Sequence, residues 1–203
     1  MNSAEVRLFF EDLAFHWDEG FTTEHHFQLK SIFRYQIPAL PPPILDLGSG
    51  TGVLVPYLQD KMNAPGNIVQ FDVARQMLTK ARRKLSAKNG LYFVQGDALR
   101  LPFAAAAFGT VFCFQIVPHV ADKYALLQEV RRILRPGGYI AVLHLMDHRR
   151  LNALHRRLSP PVHTHHMCPA EELAATMIAC GLDILQVTEE EDLYLVMASA
   201  PGS

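Results

Sequence analysis

The 203-residue chain is sparing with the residue types that would settle its class at a glance. Its three cysteines, Cys113, Cys168 and Cys180, are too few and too scattered for a disulfide framework, and they read as reduced thiols. Neither charge is in excess: Lys+Arg 19 against Asp+Glu 20 leaves −1 at pH 7, so there is no basic footprint for nucleic acid. One uncharged stretch, 103–120, holds Gly109, Thr110, Gln115, Pro118 and His119, and it reads as turn, strand and loop rather than a membrane span. The first residues carry Glu5, Arg7, Glu11 and Asp12, a pattern foreign to a secretory leader, so the expected location is cytoplasmic. No internal repeat and no long low-complexity tract interrupts the chain. With 49% apolar residues there is ample material for one full core.

What is present is concentrated in two places. The apolar run from Ile44 ends in Asp46-Leu47-Gly48-Ser49-Gly50-Thr51-Gly52, a strand running into a turn whose backbone a ligand must approach closely. A second apolar run, Ile68-Val69-Gln70-Phe71, closes in Asp72. A glycine turn after one strand and a carboxylate ending the next is how α/β proteins hold a ribose-bearing cofactor. The third glycine of the dinucleotide fingerprint is missing, Val53 standing in its place, and no Lys-Ser/Thr pair follows as a phosphate-cradling loop requires. Asp46 would repel a pyrophosphate but favour a cation. The pattern therefore asks for a ribose cofactor with a positive charge and no phosphates.

On these residues the chain resembles the class I S-adenosylmethionine-dependent methyltransferases of the small-molecule type, and is similar to the ubiquinone/menaquinone-biosynthesis methyltransferases. Four further segments carry the likeness in order: Ile44 to Gly52, Phe71 to Leu78, Gly96-Asp97-Ala98-Leu99-Arg100-Leu101-Pro102-Phe103, and Leu127 to Gly138. It covers roughly residues 40–145. There are departures. Phe108-Gly109 stands where the family has Phe-Asp, and Val73-Ala74 follows Asp72 where a small apolar residue and Ser are usual. The second removes a helix cap worth about 1 kcal/mol.

The implied fold is α/β, a Rossmann-like seven-stranded mixed sheet, parallel but for one antiparallel strand at an edge, with helices on both faces and an N-terminal helical lid. Residues 1–203 are expected to be one domain: lid 1–40, cofactor-binding core 41–145, and 146–203 as a His/Arg-rich substrate-side loop, helix and closing hairpin. The alternating pattern predicts strands near 44–47, 67–72, 91–95, 109–115 and 138–144, and helices near 52–61, 74–87 and 121–135. A helix from Pro169 to Cys180 and strands Leu182–Thr188 and Leu193–Ser199 close the chain, with Glu189 to Asp192 as the turn between them.

The resemblance implies S-adenosylmethionine as cofactor, leaving as S-adenosylhomocysteine, with Asp46, Gly48, Ser49, Gly50 and Gly52 under its methionine part. It implies Asp72 and Val73 at the ribose, Met77, Asp97 and Ala98 at the adenine, and Gln115 where the acceptor approaches. Methyl transfer from a sulfonium needs alignment and exclusion of water rather than a metal, and orientation alone supplies roughly 7–11 kcal/mol. His119, just past the fourth strand, is the candidate general base. His144, His148, His155, His163, His165 and His166, beside Arg149, Arg150, Arg156 and Arg157, form a second feature. It reads as a solvated basic loop, a contact for an anionic acceptor, or a transition-metal site, although its spacing fits no tetrahedral template. Trp17, His144 and His148 are the candidate substrate contacts, with His16, His25 and His26 nearby in the lid. The reading is a methyltransferase acting on a small molecule, monomer or homodimer, with neither nucleic acid nor membrane insertion. A non-catalytic S-adenosylmethionine-binding protein and a nicotinamide-dependent oxidoreductase are the alternatives.

Overall fold

The computed structural model describes residues 3–85 and 89–202. Strands β1 (Ile44–Leu47), β2 (Ile68–Asp72), β3 (Leu91–Gln95), β4 (Phe108–Phe114), β5 (Leu134–His144), β6 (Asp183–Glu190) and β7 (Leu193–Ser199) form one sheet ordered β3-β2-β1-β4-β5-β7-β6. The first five are mutually parallel, and β7 runs antiparallel to both β5 and β6. The mixed edge is what a tight closing hairpin requires. Its turn is shorter than the acidic run suggested, because β6 carries Glu189 and Glu190 and leaves only Glu191 and Asp192 to reverse the chain.

Burial on every residue of β1 and β4 marks the middle of a sheet covered on both faces. Helices α3 (Val55–Lys61), α4 (Arg75–Leu85), α5 (Lys123–Ile133) and α7 (Ala170–Ala179) fall close to their predicted spans. The tail of the predicted 74–87 helix lies outside the described residues from 86 onward. One core cluster packs α5 and α7 against the sheet through Leu126, Val130, Leu173 and Met177. A second packs the N-terminal α2 (Thr23–Tyr35) against the other face through Leu29, Ile32 and Phe33.

Two predicted boundaries moved. β5 begins at Leu134 and runs through Pro136-Gly137-Gly138, because Leu134 pairs with Phe108 before the register shifts and resumes at Tyr139. A Cβ on Gly138 would stand 2.9 Å from the Gly109 carbonyl, and one on Gly109 would stand 2.5 Å from that of Pro41, so close backbone approach explains both glycines. The loop after β5 contains α6 (His148–His155), capped by Asp147, whose carboxylate accepts from the Arg149 and Arg150 N–H groups.

The lid consists of α1 (Ser3–Leu13), a 3₁₀ turn Trp17–Gly20 and α2. It is tied to α4 at three points. Glu11 accepts from the Arg75 and Gln76 N–H groups at 2.8 and 2.7 Å. Lys80 donates to the carbonyls of Ala14 and Phe15, both at 3.1 Å. Asp18 pairs with Lys80 and Lys84 and accepts from the Thr51 hydroxyl at 2.5 Å. No helix among the described residues is long and apolar enough to cross a membrane.

Candidate active site

Strand order reverses beside β1, between β2 and β4, and the crevice beyond the carboxyl ends of such strands is where open α/β sheets bind ligands. The glycine turn after β1 and the segment Gln115–His119 after β4 both open there.

The three glycines of the turn serve different ends. All have positive φ: 72° at Gly48, 53° at Gly50 and 78° at Gly52. A Cβ on Gly48 would strike Ile116 at 2.5 Å, and one on Gly52 would strike Leu85 at 2.6 Å, so these two are demanded by packing. Gly50 alone faces outward. Its nearest neighbour would be the Trp17 indole nitrogen at 3.5 Å. The Gly50 N–H donates to Asp72 at 2.8 Å, and the other Asp72 oxygen accepts from Ala74 N–H, also at 2.8 Å. One carboxylate thus sets the turn and opens α4. Its oxygens retain lone pairs for ribose hydroxyls. Burial pushes its pKa up to about 6, against the backbone hydrogen bonds that favour the charged form.

Asp46 lies behind the turn, 1% exposed. Gln70 donates to its Oδ2 at 2.9 Å, while its Oδ1, Gln70 Oε1 and Ser49 Oγ are buried without a partner. Burial, and then the charge of Asp72, outweigh the Gln70 hydrogen bond and raise Asp46 to about 7. At 1% exposure this carboxylate cannot make an exposed contact, and a charge on it would be felt across the turn. Unsatisfied acceptors, one outward glycine and a carboxylate with free lone pairs suit a cationic nucleoside without phosphates. The site fits S-adenosylmethionine.

The remaining cofactor candidates sit around the same crevice with unequal roles. Met77 is buried with Ala14 and Ala74 beneath Phe10 and Trp17, so the lid covers it. The Val73 carbonyl accepts from Gln95 at 3.0 Å. Asp97 closes its own turn, Oδ1 accepting from Leu99 N–H at 2.9 Å, with half-buried Ala98 packed against the core. Gln115 adopts φ 57°, a left-handed conformation that L side chains rarely take and that clusters at functional sites. The sequence placed Gln115 here, but nothing in it announced this conformation. Glu11, in contrast, was missed. It supplies in trans part of the helix cap that Val73-Ala74 lacks.

On the acceptor side the structure gathers four histidines from four separate segments. His119 follows β4, His144 ends β5, His155 ends α6 and His165 lies in the loop after it. His119 Nδ1 and His165 Nδ1 are 2.7 Å apart. His155 Nδ1 donates to the His165 carbonyl at 3.1 Å, and its ring centroid is 5.1 Å from that of His119. His144 is 1% exposed, has no hydrogen-bond partner on either ring nitrogen, and packs edge-on to Tyr194. Burial lowers all four, His144 to about 3 and His165 to about 4. Phe10 bridges the cluster to the cofactor side, 5.0 Å from His119 and 5.7 Å from Trp17 between ring centroids.

The cluster is therefore uncharged near neutral pH, unlike the cationic lid that the His/Arg count suggested. The loop's own cations are partly spoken for, since Arg150 pairs with Asp192 and Glu191. His148 is not brought to the cluster. Its Nδ1 lies 2.5 Å from Glu189 Oε1, while Glu189 Oε2 accepts from Ala170 N–H and pins α6 to α7. His16, His25 and His26 bond to Glu19, Thr22 and Tyr57 within or beside the lid. Asp147, His148 and Glu189 are the residues, among those described, whose ligand atoms approach closely enough for one metal ion. Their oxygens already serve the α6 and α7 N-termini.

The fold is that of the class I S-adenosylmethionine-dependent methyltransferases. Residues 45–142, just under half of the chain, match the methyltransferase domain family, and the chain resembles it. It is similar to the demethylmenaquinone methyltransferase of Thermus thermophilus, 42% identical over 105 residues, 51% of this chain and 47% of that protein. It is also similar to the malonyl-[acyl-carrier protein] O-methyltransferase of a Marinomonas species, 33% identical over 97 residues, 48% of this chain and 36% of that protein. The chain spans less than half the length of these relatives. An S-adenosylmethionine-dependent methyltransferase structure from Aquifex aeolicus superposes with a TM-score of 0.71 at 17% identity, covering 93% of this chain and 97% of that one. The nicotinamide alternative loses ground on topology, because dinucleotide folds run 3-2-1-4-5-6 without the reversed strand inserted here.

Proposed function

We propose that this protein transfers the methyl group of S-adenosylmethionine to an uncharged small molecule carrying an ionisable hydroxyl, such as a hydroquinone ring. The observation that carries the acceptor class is the group of buried His144, His155 and His165 with half-buried His119, held neutral beside Phe10, Trp17 and Tyr194. Neutral rings and aromatic walls favour a flat, uncharged acceptor over the anion that the basic loop suggested. The demethylmenaquinone methyltransferase relative, matched over 105 residues, supports the same class.

S-Adenosylmethionine supplies an activated methyl on sulfur. The protein's part is to hold, orient and shield. Asp72 would hold the ribose, Gly50 and Ser49 the methionine part, and Met77, Asp97 and Ala98 the adenine. Asp46 favours positive charge across the turn. Phe10 and Trp17 keep water from the space between the glycine turn and His119, where desolvation strengthens every polar contact.

The test is a transfer assay with methyl-labelled S-adenosylmethionine and two acceptors, 1,4-naphthohydroquinone kept reduced and the carboxylate 1-naphthoate. Label on the hydroquinone alone supports the reading. Label on the carboxylate alone returns the acceptor to the anionic class.

A further inference from the structure

The methyltransferase reading leaves one contact unused. His119 and His165 stand 46 residues apart in the chain, yet their Nδ1 atoms meet at 2.7 Å. Two neutral imidazoles bond in this way only if one Nδ1 carries a proton and the other offers a lone pair. If the proton is on His119, its Nε2 is left as a lone-pair nitrogen beside Phe10, on the acceptor side of the cofactor turn.

We propose that His119 takes the proton of the acceptor's hydroxyl at Nε2, and that His165 is a positioning residue fixing His119 in the Nδ1–H form. The inference rests on the methyltransferase reading. The acceptor's O–H proton passes to Nε2. The freed electron pair drives bond formation from the acceptor, at oxygen or at an activated ring carbon, to the methyl carbon. The pair of the breaking carbon–sulfur bond stays on sulfur, and one proton is released to water in each cycle. As His119 becomes an imidazolium, its hydrogen bond to His165 becomes charge-assisted and stronger, which offsets part of the cost of burying the new charge. This is the role that the carboxylate fills in a hydrolase triad, here given to a neutral acceptor.

The surroundings keep this base unprotonated and ready to accept. His155 from α6, His144 from β5, His165 and His163 from the loop and Lys123 at the start of α5 all face the pair, with Phe10 from α1. Burial and these cationic or potentially cationic neighbours keep His119 neutral well below the usual imidazole range. His155 cannot take the place of His165, because its Nδ1 is committed to the His165 carbonyl. That bond instead fixes the backbone from which His165 reaches His119.

The experiment uses the full chain with ring-¹⁵N histidine, saturated with S-adenosylhomocysteine and read by long-range ¹H–¹⁵N correlation. The expected result at pH 7 is His119 neutral with its proton on Nδ1. 1-Naphthol should move the His119 Nε2 signal, and 1-methoxynaphthalene, which lacks the hydroxyl, should not. His165→Leu should let His119 average its two tautomers and lower kcat about 100-fold, within the range for a general base, with S-adenosylhomocysteine affinity unchanged. His165→Asn, whose amide oxygen accepts the same proton, should recover most of the rate.

A His119 proton on Nε2 in the wild-type protein overturns the proposal, whether or not His165→Leu folds. So does a loss of cofactor affinity in His165→Leu matching the loss of kcat. Binding of S-adenosylhomocysteine with no turnover on any acceptor removes the methyltransferase reading, and the base role with it. Turnover with the proton on Nε2 removes the base role alone.

Discussion

The carboxylate of Glu11 accepts hydrogen bonds from the backbone N–H groups of Arg75 and Gln76, so a residue of the lid caps the helix that follows Asp72. Lid and cofactor site are thereby one mechanical unit. The Glu11 charge also helps to raise Asp72, after burial as the larger cause. Glu11→Ala should cost about 1 kcal/mol of stability, the worth of a helix cap. For a chain of this length that lowers the melting midpoint by roughly 2–4 °C. Because the lid roofs the crevice, the same variant should weaken cofactor binding, which calorimetry will show. A change in midpoint with untouched affinity would separate the lid from the site.

Asp72→Asn removes the charge but keeps an oxygen for one of the two backbone donors. Cofactor affinity should fall by about 1.5–3 kcal/mol, the range for hydrogen bonds involving a charged group. Stability should also fall, since Gly50 and Ala74 both donate to the carboxylate. Titration calorimetry and thermal melts read the two effects separately.

The raised carboxylates give the cofactor site a pH signature. Asp46 at about 7 and Asp72 at about 6 lie above their unfolded values. Their contribution to folding is complete below about pH 4 and is lost as pH rises through 6 to 7. A cationic ligand favours the ionised form, so S-adenosylmethionine affinity should rise between pH 5.5 and 8, with proton release on binding. Calorimetry in buffers of differing ionisation enthalpy measures that release. Asp46→Asn should shrink it.

His144 gives the opposite dependence. Its folded pKa of about 3 lies below the ordinary value, so its contribution is present above pH 6.5 and is lost as pH falls towards 3. Both ring nitrogens are buried without partners, a cost that an apolar ring avoids. His144→Phe should be neutral or stabilising at pH 7 and should flatten the acid limb of a stability–pH curve. A matching loss of turnover would mark His144 as an acceptor contact as well.

Gln115 holds φ 57° at the mouth of the crevice. Gln115→Gly should raise stability by about 1 kcal/mol through relief of the left-handed strain. Turnover should fall if the side chain meets the acceptor or the cofactor, and steady-state kinetics beside a melt tests the pairing. Stability and activity both unchanged would deny the position any special role.

Much of the fold was legible because its signals are local. β3 and β7 follow apolar runs bounded by turn residues and match their predicted spans. Asp72 and the glycine turn were legible for the same reason, each at the end of an apolar run. What escaped was the long-range part. Glu11 lies far from Arg75 in sequence and nothing near it signals a cap. His119 and His165 meet only because the 3₁₀ turns Val117–His119 and Val162–Thr164, with α6, bring the two segments together. The histidine count was visible, but its charge was not, because burial rather than composition decides protonation. The β5 start moved because Leu134 found a partner in Phe108, which tertiary pairing alone provides.

The central claim is that the crevice built by Gly50 and Asp72 binds S-adenosylmethionine. Isothermal titration of the wild-type protein and Asp72→Asn with S-adenosylmethionine, and with NAD as control, tests it most directly. The account predicts one-to-one binding of S-adenosylmethionine, weakened in Asp72→Asn by the amount given above, and no heat from NAD. Binding of NAD in its place, or equal S-adenosylmethionine affinity in the two proteins, would contradict it.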